Sequence, residues 1–205
     1  QWEKAEISLP QFDRQAMKEE TKKNPQWVHF GAGNIFRAFP AALQQKLLNE
    51  GIEKTGIIVA EGYDYEIIKK AYRPQDDLSL LVTLKANGTI EKTVIGSLAE
   101  SLTVDRHDAA DWNRLKEIFA SNTLQMVSFT ITEKGYSITS PDGAFRADVK
   151  ADFEAGPENA DSYIGKLAAL CYWRYTQGAA PLALVSMDNC SHNGDKLFAA
   201  VDAYA

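Results

Sequence analysis

The chain has 205 residues, 45% of them hydrophobic and 24% charged, ordinary globular material long enough to bury a sizeable core. A net charge of −6 and a pI near 5.1 exclude the basic face that nucleic acid or an anionic membrane surface demands, which leaves a small molecule as the expected partner. Two cysteines, Cys171 and Cys190, and three scattered histidines exclude a disulfide scaffold and offer no metal-ligand spacing, so the expected setting is reducing and cytoplasmic, with no metal.

No apolar run approaches the ~20 residues that span a bilayer, and Gln1-Trp2-Glu3-Lys4 is unlike a signal peptide. The chain opens without methionine and is expected to be an excerpt from a longer protein. Residues 1–26 read as a polar N-terminal arm or short helix, its charged run Lys18 to Lys23 a solvated face. From Trp27 short apolar runs alternate with helical patterns, so residues 27–205 are expected to form one doubly wound α/β domain with a Rossmann-type sheet.

The first strand, Trp27 to Phe30, runs into Gly31-Ala32-Gly33 and then a helix with Asn34 as its expected N-cap. Two glycines in such a turn let a pyrophosphate approach the backbone and the unpaired N–H donors of a helix start. The expected ligand is a dinucleotide, with Gly31, Ala32, Gly33, Asn34, Ile35 and Phe36 lining it. The usual third glycine is absent: Phe36 stands where glycine permits close helix–strand packing. By itself, the turn reads equally as a plain structural βα connection. Ile35, Phe39, Leu43 and Leu47 share one face of the helix, and Pro40 predicts either a later start near residue 39 or a bend.

Gly51 ends that helix, and Gly56 to Ala60 is a buried strand finishing at Glu61, where a dinucleotide fold places an acid against the adenosine ribose hydroxyls. A carboxylate there repels a 2′-phosphate and predicts NAD over NADP; the plain alternative is an exposed strand-end acid. Two β-rich runs, Leu78 to Lys85 and Thr89 to Ser97, flank Ala86-Asn87-Gly88, the signal of an inserted antiparallel hairpin. A helix follows from about Ala109 to Phe119, with Trp112, Leu115 and Phe119 on one face, then a strand from Leu124 to Thr130. Strand C-termini in open α/β sheets bear the ligands, which makes Thr130, Thr132, Glu133 and Lys134 candidates.

Residues 137–157 are rich in turn formers, with a hairpin turn at Pro141-Asp142-Gly143. A helix from about Asn159 to Thr176 precedes a buried strand, Pro181 to Met187, which runs into Asp188-Asn189 and a last helix. Asn189 is a carboxamide at a strand end, a good neutral donor to a developing alkoxide. Asn193 reads as a cap of the last helix, Asp188 as a hydrogen-bond partner, His29 as a satisfied core residue and His192 as a surface turn residue.

Three clusters now stand in order: His29-Phe30-Gly31-Ala32-Gly33-Asn34-Ile35-x-Arg37, Thr130-Ile131-Thr132-Glu133-Lys134-Gly135-Tyr136, and Ser186-Met187-Asp188-Asn189-x-x-x-Asn193-Gly194. With this order and spacing the sequence resembles the polyol and hexuronate long-chain dehydrogenases, of the mannitol dehydrogenase and fructuronate reductase type, from Trp27 to the end. The resemblance implies a zinc-independent NAD(P)-linked interconversion of a secondary alcohol and a ketone on an open-chain sugar alcohol or hexuronate. It further implies Thr130 and Thr132 on the nicotinamide side and Asn189 as the catalytic oxyanion-stabilising group. The family resembles a two-domain enzyme whose catalytic lysine stands in a Lys-x-x-x-x-Asn-x-x-His pattern in a C-terminal helical domain. That pattern does not occur in these residues, so the chain is expected to be the cofactor half, inactive alone. Two other readings stay open: a non-catalytic nucleotide-binding or assembly module, and an S-adenosylmethionine-dependent methyltransferase, which also uses a glycine turn and a strand-end acid.

Overall fold

Short apolar strands whose alternate residues are all buried have to be covered on both sides, and that requirement sets the architecture. The computed structural model describes residues 5–178 and 180–205. Its central sheet holds five parallel strands: β2 (Trp27–Phe30), β3 (Ile57–Glu61), β6 (Leu98–Thr103), β7 (Met126–Phe129) and β8 (Ala183–Ser186). Their spatial order is β6-β3-β2-β7-β8, so the winding direction reverses between β2 and β7. In such sheets, ligands lie outside the carboxyl ends of the strands at that reversal.

The two faces are packed by different helices. Val28 and Phe30 of β2 join Ile58 and Ala60 of β3 in a core closed by α5 (Ala109–Ala120), α8 (Tyr163–Thr176) and α9 (Asn193–Asp202). Ile57 and Val59 face the other way, toward α2 (Asn34–Ala38), α3 (Pro40–Asn49) and the segment from α4 (Tyr65–Ile67) through Ile68–Tyr72 to a single turn at Arg73–Gln75. The period-two alternation of a strand thus feeds two cores.

A second sheet lies on this latter side. Strands β4 (Ser79–Leu84) and β5 (Ile90–Ile95) form the antiparallel hairpin expected from Asn87-Gly88, with Gly88 at φ 84° in its turn. Strand β1 (Ile7–Ser8) from the N-terminal arm adds to β5 in parallel. The arm continues as α1 (Arg14–Lys23), capped by Asp13, which buries Met17 and Thr21. Arg14 and Lys18 hold Asp76 in ion pairs of 2.6 and 2.5 Å, so the charged run is tied down in part and not wholly solvated.

Several boundaries differ from the sequence expectation. The cap of α2 is Gly33, while Asn34 is the first helical residue and its Oδ1 accepts from Arg37 at 2.5 Å. The helix is broken at Phe39 and restarts with Pro40 in its first turn, because proline has no N–H to give the carbonyl one turn back. The stripe Ile35, Phe39 and Leu43 faces outward, each more than 60% exposed, and the packed face is Phe36, Ala41, Gln44, Gln45 and Leu48. Gln44 and Gln45 are buried because they have partners: Gln44 donates to the Thr55 carbonyl, and Gln45 bridges the Val94 carbonyl and the Gly96 N–H.

Strand β6 was not expected from its mixed sequence. Nor was α7 (Ala147–Ala155), which follows the turn at Gly143 within the stretch of turn formers. Residues 159–162 are not helical; Ser162 caps α8 by accepting from Gly165.

Candidate cofactor site

The Gly-x-Gly turn sits at the carboxyl end of β2, at the winding reversal. Its two glycines do different work. Gly31 has φ +112°, and a side chain there would run into the Thr130 carbonyl, so the turn passes against the end of β7 only without a Cβ. Gly33 has ordinary backbone angles, and a Cβ added to it meets nothing within 4 Å. Gly31 thus serves the fold, whereas Gly33 keeps open the space above the turn, as close approach of a ligand requires.

The amides of Gly33, Asn34 and Ile35 have no acceptor among the described residues and stand at the opening of the turn. Ala32 is different: its N–H donates to Glu61 Oε2 at 2.8 Å and its carbonyl accepts from Tyr72 Oη at 2.7 Å. Phe36 is fully buried and stacks on the His29 ring, with centroids 4.2 Å and planes 9° apart. In place of the third glycine, a flat ring slides over a flat ring. The helix starts close to the strand all the same.

His29 is the satisfied core residue expected. Its Nδ1 meets Ser128 Oγ at 2.7 Å and its Nε2 meets Thr130 Oγ1 at 2.8 Å, while Trp27 Nε1 donates to the same Ser128 hydroxyl. Burial lowers its pKa to about 3, so the ring is neutral. Thr130 therefore spends its hydroxyl on β2 and helps to lock the two central strands together.

Glu61 ends β3 nearly buried. Besides Ala32, it accepts the N–H groups of Tyr63 and Asp64 on Oε1, at 2.8 and 3.2 Å. One carboxylate thus ties the glycine turn to the loop after β3, leaving one lone pair of Oε2 for a further donor.

At the far end, Asp188 follows β8 and accepts the Ile131 N–H at 2.9 Å, the Thr132 N–H at 3.0 Å and the Tyr136 hydroxyl at 2.5 Å. It fixes the entry to α6 (Thr132–Gly135), where Thr132 takes the left-handed value φ 64° with its side chain exposed. Asp188 is the hydrogen-bond partner expected. Asn193 is no cap: His192 holds that position, and the Asn193 amide donates to the Asp188 carbonyl at 2.8 Å, bracing the loop that carries Asn189. Asn189 is exposed on that loop, and its carboxamide has no hydrogen-bond partner among the described residues. His192 is a surface residue beside Asp195, and Glu133 pairs with Lys196 at 2.5 Å and not with Lys134.

Two groups beneath this rim were not expected from the sequence. The Tyr163 hydroxyl is buried with no partner among the described residues, and Lys166 donates to Tyr65 Oη at 2.8 Å and the Gly62 carbonyl at 3.4 Å. Burial lowers the Lys166 pKa. The signal for Lys166 was present in a lysine flanked by Ile164, Gly165 and Leu167, on a face that has to be buried. Among the described residues, no cluster of His, Cys, Asp and Glu has the form of a metal site, and no helix is long and apolar enough to cross a membrane.

Comparison with known proteins decides the family, because residues 25–205 match the mannitol dehydrogenase Rossmann domain. The chain belongs to the mannitol dehydrogenase family. It is 48% identical over 200 residues to the D-mannonate oxidoreductase of Thermotoga maritima, a match covering 98% of this chain and 37% of that protein. It is 30% identical to the polyol:NADP oxidoreductase of Gluconobacter oxydans, over 98% of this chain and 40% of the relative. Mannitol 2-dehydrogenase of Pseudomonas fluorescens, solved as a ternary complex with NAD and D-mannitol, superposes with a TM-score of 0.80 at 27% identity, over 97% of this chain and 39% of that one. The chain thus spans about two-fifths of the length of these mannitol dehydrogenase relatives, and corresponds to their N-terminal, nucleotide-binding part.

Proposed function

We propose that this chain is the NAD-binding part of an oxidoreductase that interconverts a secondary alcohol and a ketone on an open-chain sugar alcohol or hexuronate, of the mannonate/fructuronate or mannitol/fructose type. The observation that carries the reading is the turn at Gly33, open above its Cα, with three acceptor-less amides at the winding reversal. That cradle fits a pyrophosphate. NAD, when bound, supplies the hydride-accepting ring.

In this reading the amides of Gly33, Asn34 and Ile35 take the pyrophosphate oxygens, with Gly31, Ala32 and Phe36 shaping the turn behind them. Glu61 offers its remaining lone pair to an adenosine ribose hydroxyl, which favours NAD over NADP. Thr130 and Thr132 border the nicotinamide side, and Asn189 donates its free carboxamide to the reacting oxygen. In this reading the proton-accepting lysine stands in a C-terminal helical domain, the expected partner of this surface. The exposed stripe Ile35, Phe39 and Leu43 adjoins the turn and suits such cover. A cytoplasmic setting accords with a soluble sugar derivative as substrate.

Calorimetric titration tests the reading. The chain is expected to bind NAD and to turn over D-mannonate, D-fructuronate and D-mannitol negligibly. Absence of NAD binding refutes the cofactor assignment, and robust turnover by residues 1–205 refutes the division of labour.

A further inference from the structure

The loop after β3 is held unusually well for a surface loop. Glu61 accepts the amides of Tyr63 and Asp64, Lys166 donates to the Gly62 carbonyl, and the Tyr163 ring lies 2.7 Å from where a Cβ on Gly62 would be. Tyr65, next along, gives its hydroxyl proton to the Val104 carbonyl at 3.1 Å and accepts from Lys166. Every residue around Tyr63 is fixed from below. Tyr63 itself is 90% exposed, the most exposed of the large hydrophobic side chains of the described residues.

A rigid loop that presents one bare aromatic ring is a preorganised surface, since little ordering entropy remains to be lost when something lands on it. The side of the reversal on which the ring stands decides what lands there. Thr132 and Asn189 lie beyond β7 and β8, on the side of the reacting end, and Tyr63 lies beyond β3 on the opposite side, next to the ribose acid. The group expected on that side is the base of the nucleotide, which has a flat π-face and few hydrogen bonds to offer in a shallow, solvent-open position.

The geometry points to Tyr63 as the stacking platform for the adenine ring of the dinucleotide, a contact that rests on the cofactor reading above. Base–aromatic stacking of this kind changes affinity by about 5- to 150-fold on removal of the ring. Tyr63→Ala is therefore expected to weaken NAD and AMP by the same factor within that range. Tyr63→Phe, which keeps the ring, stays within about twofold of the parent. Because the side chain is in water, the melting temperature of both variants is expected to match the parent. The test is calorimetric titration of the parent chain and both variants with NAD and with AMP. Unchanged AMP affinity in Tyr63→Ala overturns the assignment, as does loss of NAD affinity without loss of AMP affinity. A parent chain that binds neither nucleotide overturns this assignment and the cofactor reading together, whereas a binding parent with an indifferent Tyr63→Ala overturns this one alone.

Discussion

Glu61→Gln tests whether one carboxylate joins the glycine turn to the β3 loop. The native side chain accepts three backbone N–H groups, at 2.8, 2.8 and 3.2 Å, on two oxygens. A carboxamide has one acceptor oxygen and puts its NH2 where the other oxygen stood. Turned one way, it opposes the Ala32 N–H; turned the other, it opposes both the Tyr63 and Asp64 N–H groups. The cheaper choice loses the Ala32 bond, a charge-assisted hydrogen bond worth about 1.5–3 kcal/mol at a nearly buried position. In a domain of this size each kcal/mol shifts the melting temperature by about 2–4 °C, so the variant is expected to melt about 3–12 °C below the parent. Thermal unfolding followed by circular dichroism, without nucleotide, reads this directly. A melting temperature within about 1 °C of the parent refutes the reasoning, for it means the turn and the loop are held independently.

Gly31→Ala and Gly33→Ala separate fold from ligand. The first is expected to cost more than about 3 kcal/mol in urea unfolding, through its left-handed φ and the Thr130 carbonyl, while the second changes stability by less than about 0.5 kcal/mol but weakens NAD in calorimetry. His29 takes up its proton in the unfolded state near pH 6.5 and in the folded state near pH 3, so its contribution is intact above pH 6.5 and is lost as pH falls through that window, by about 1.4 kcal/mol per unit. Urea unfolding at pH 5 and pH 7 is expected to show a shallower pH dependence in His29→Gln than in the parent; equal slopes refute the assignment. Arg174 donates to five backbone carbonyls, those of Phe119, Ser121, Leu124, Ala180 and Pro181, and Arg174→Met is expected to lose about 3–5 kcal/mol on the same assay by leaving them unpaired.

What was legible follows from how local each signal is. The β2 strand, its glycine turn, the hairpin at Asn87-Gly88 and the break at Pro40 are written in a few adjacent residues, and each stands where the local chemistry put it. Which face of that helix packs was not legible, because burial of the face opposite Ile35, Phe39 and Leu43 depends on Gln44 and Gln45 finding backbone partners elsewhere in the chain. Strand β6 escaped notice for a related reason. Its Glu100 is a polar interruption within the run, and that carboxylate is paired with Arg114 of α5. In the candidate site, the glycine turn and Asp188 were visible as motifs. The three backbone N–H groups gathered by Glu61 were not, since contacts to main-chain atoms leave no trace in a side-chain pattern, and Lys166 was legible only as a lysine on a face that has to be buried, without its partners Tyr65 and Gly62.

The pairing of β2 carries a consequence for the birth of the protein. Its neighbours are β3 and β7, and its histidine finds its hydroxyl partners 99 and 101 residues later in the chain. As the polypeptide leaves the ribosome, the glycine turn is thus made well before the residues that brace it. Until the β7 segment emerges, β2 has an open edge, an apolar flank and an unpaired imidazole, the state in which a parallel sheet is most exposed to wrong partners.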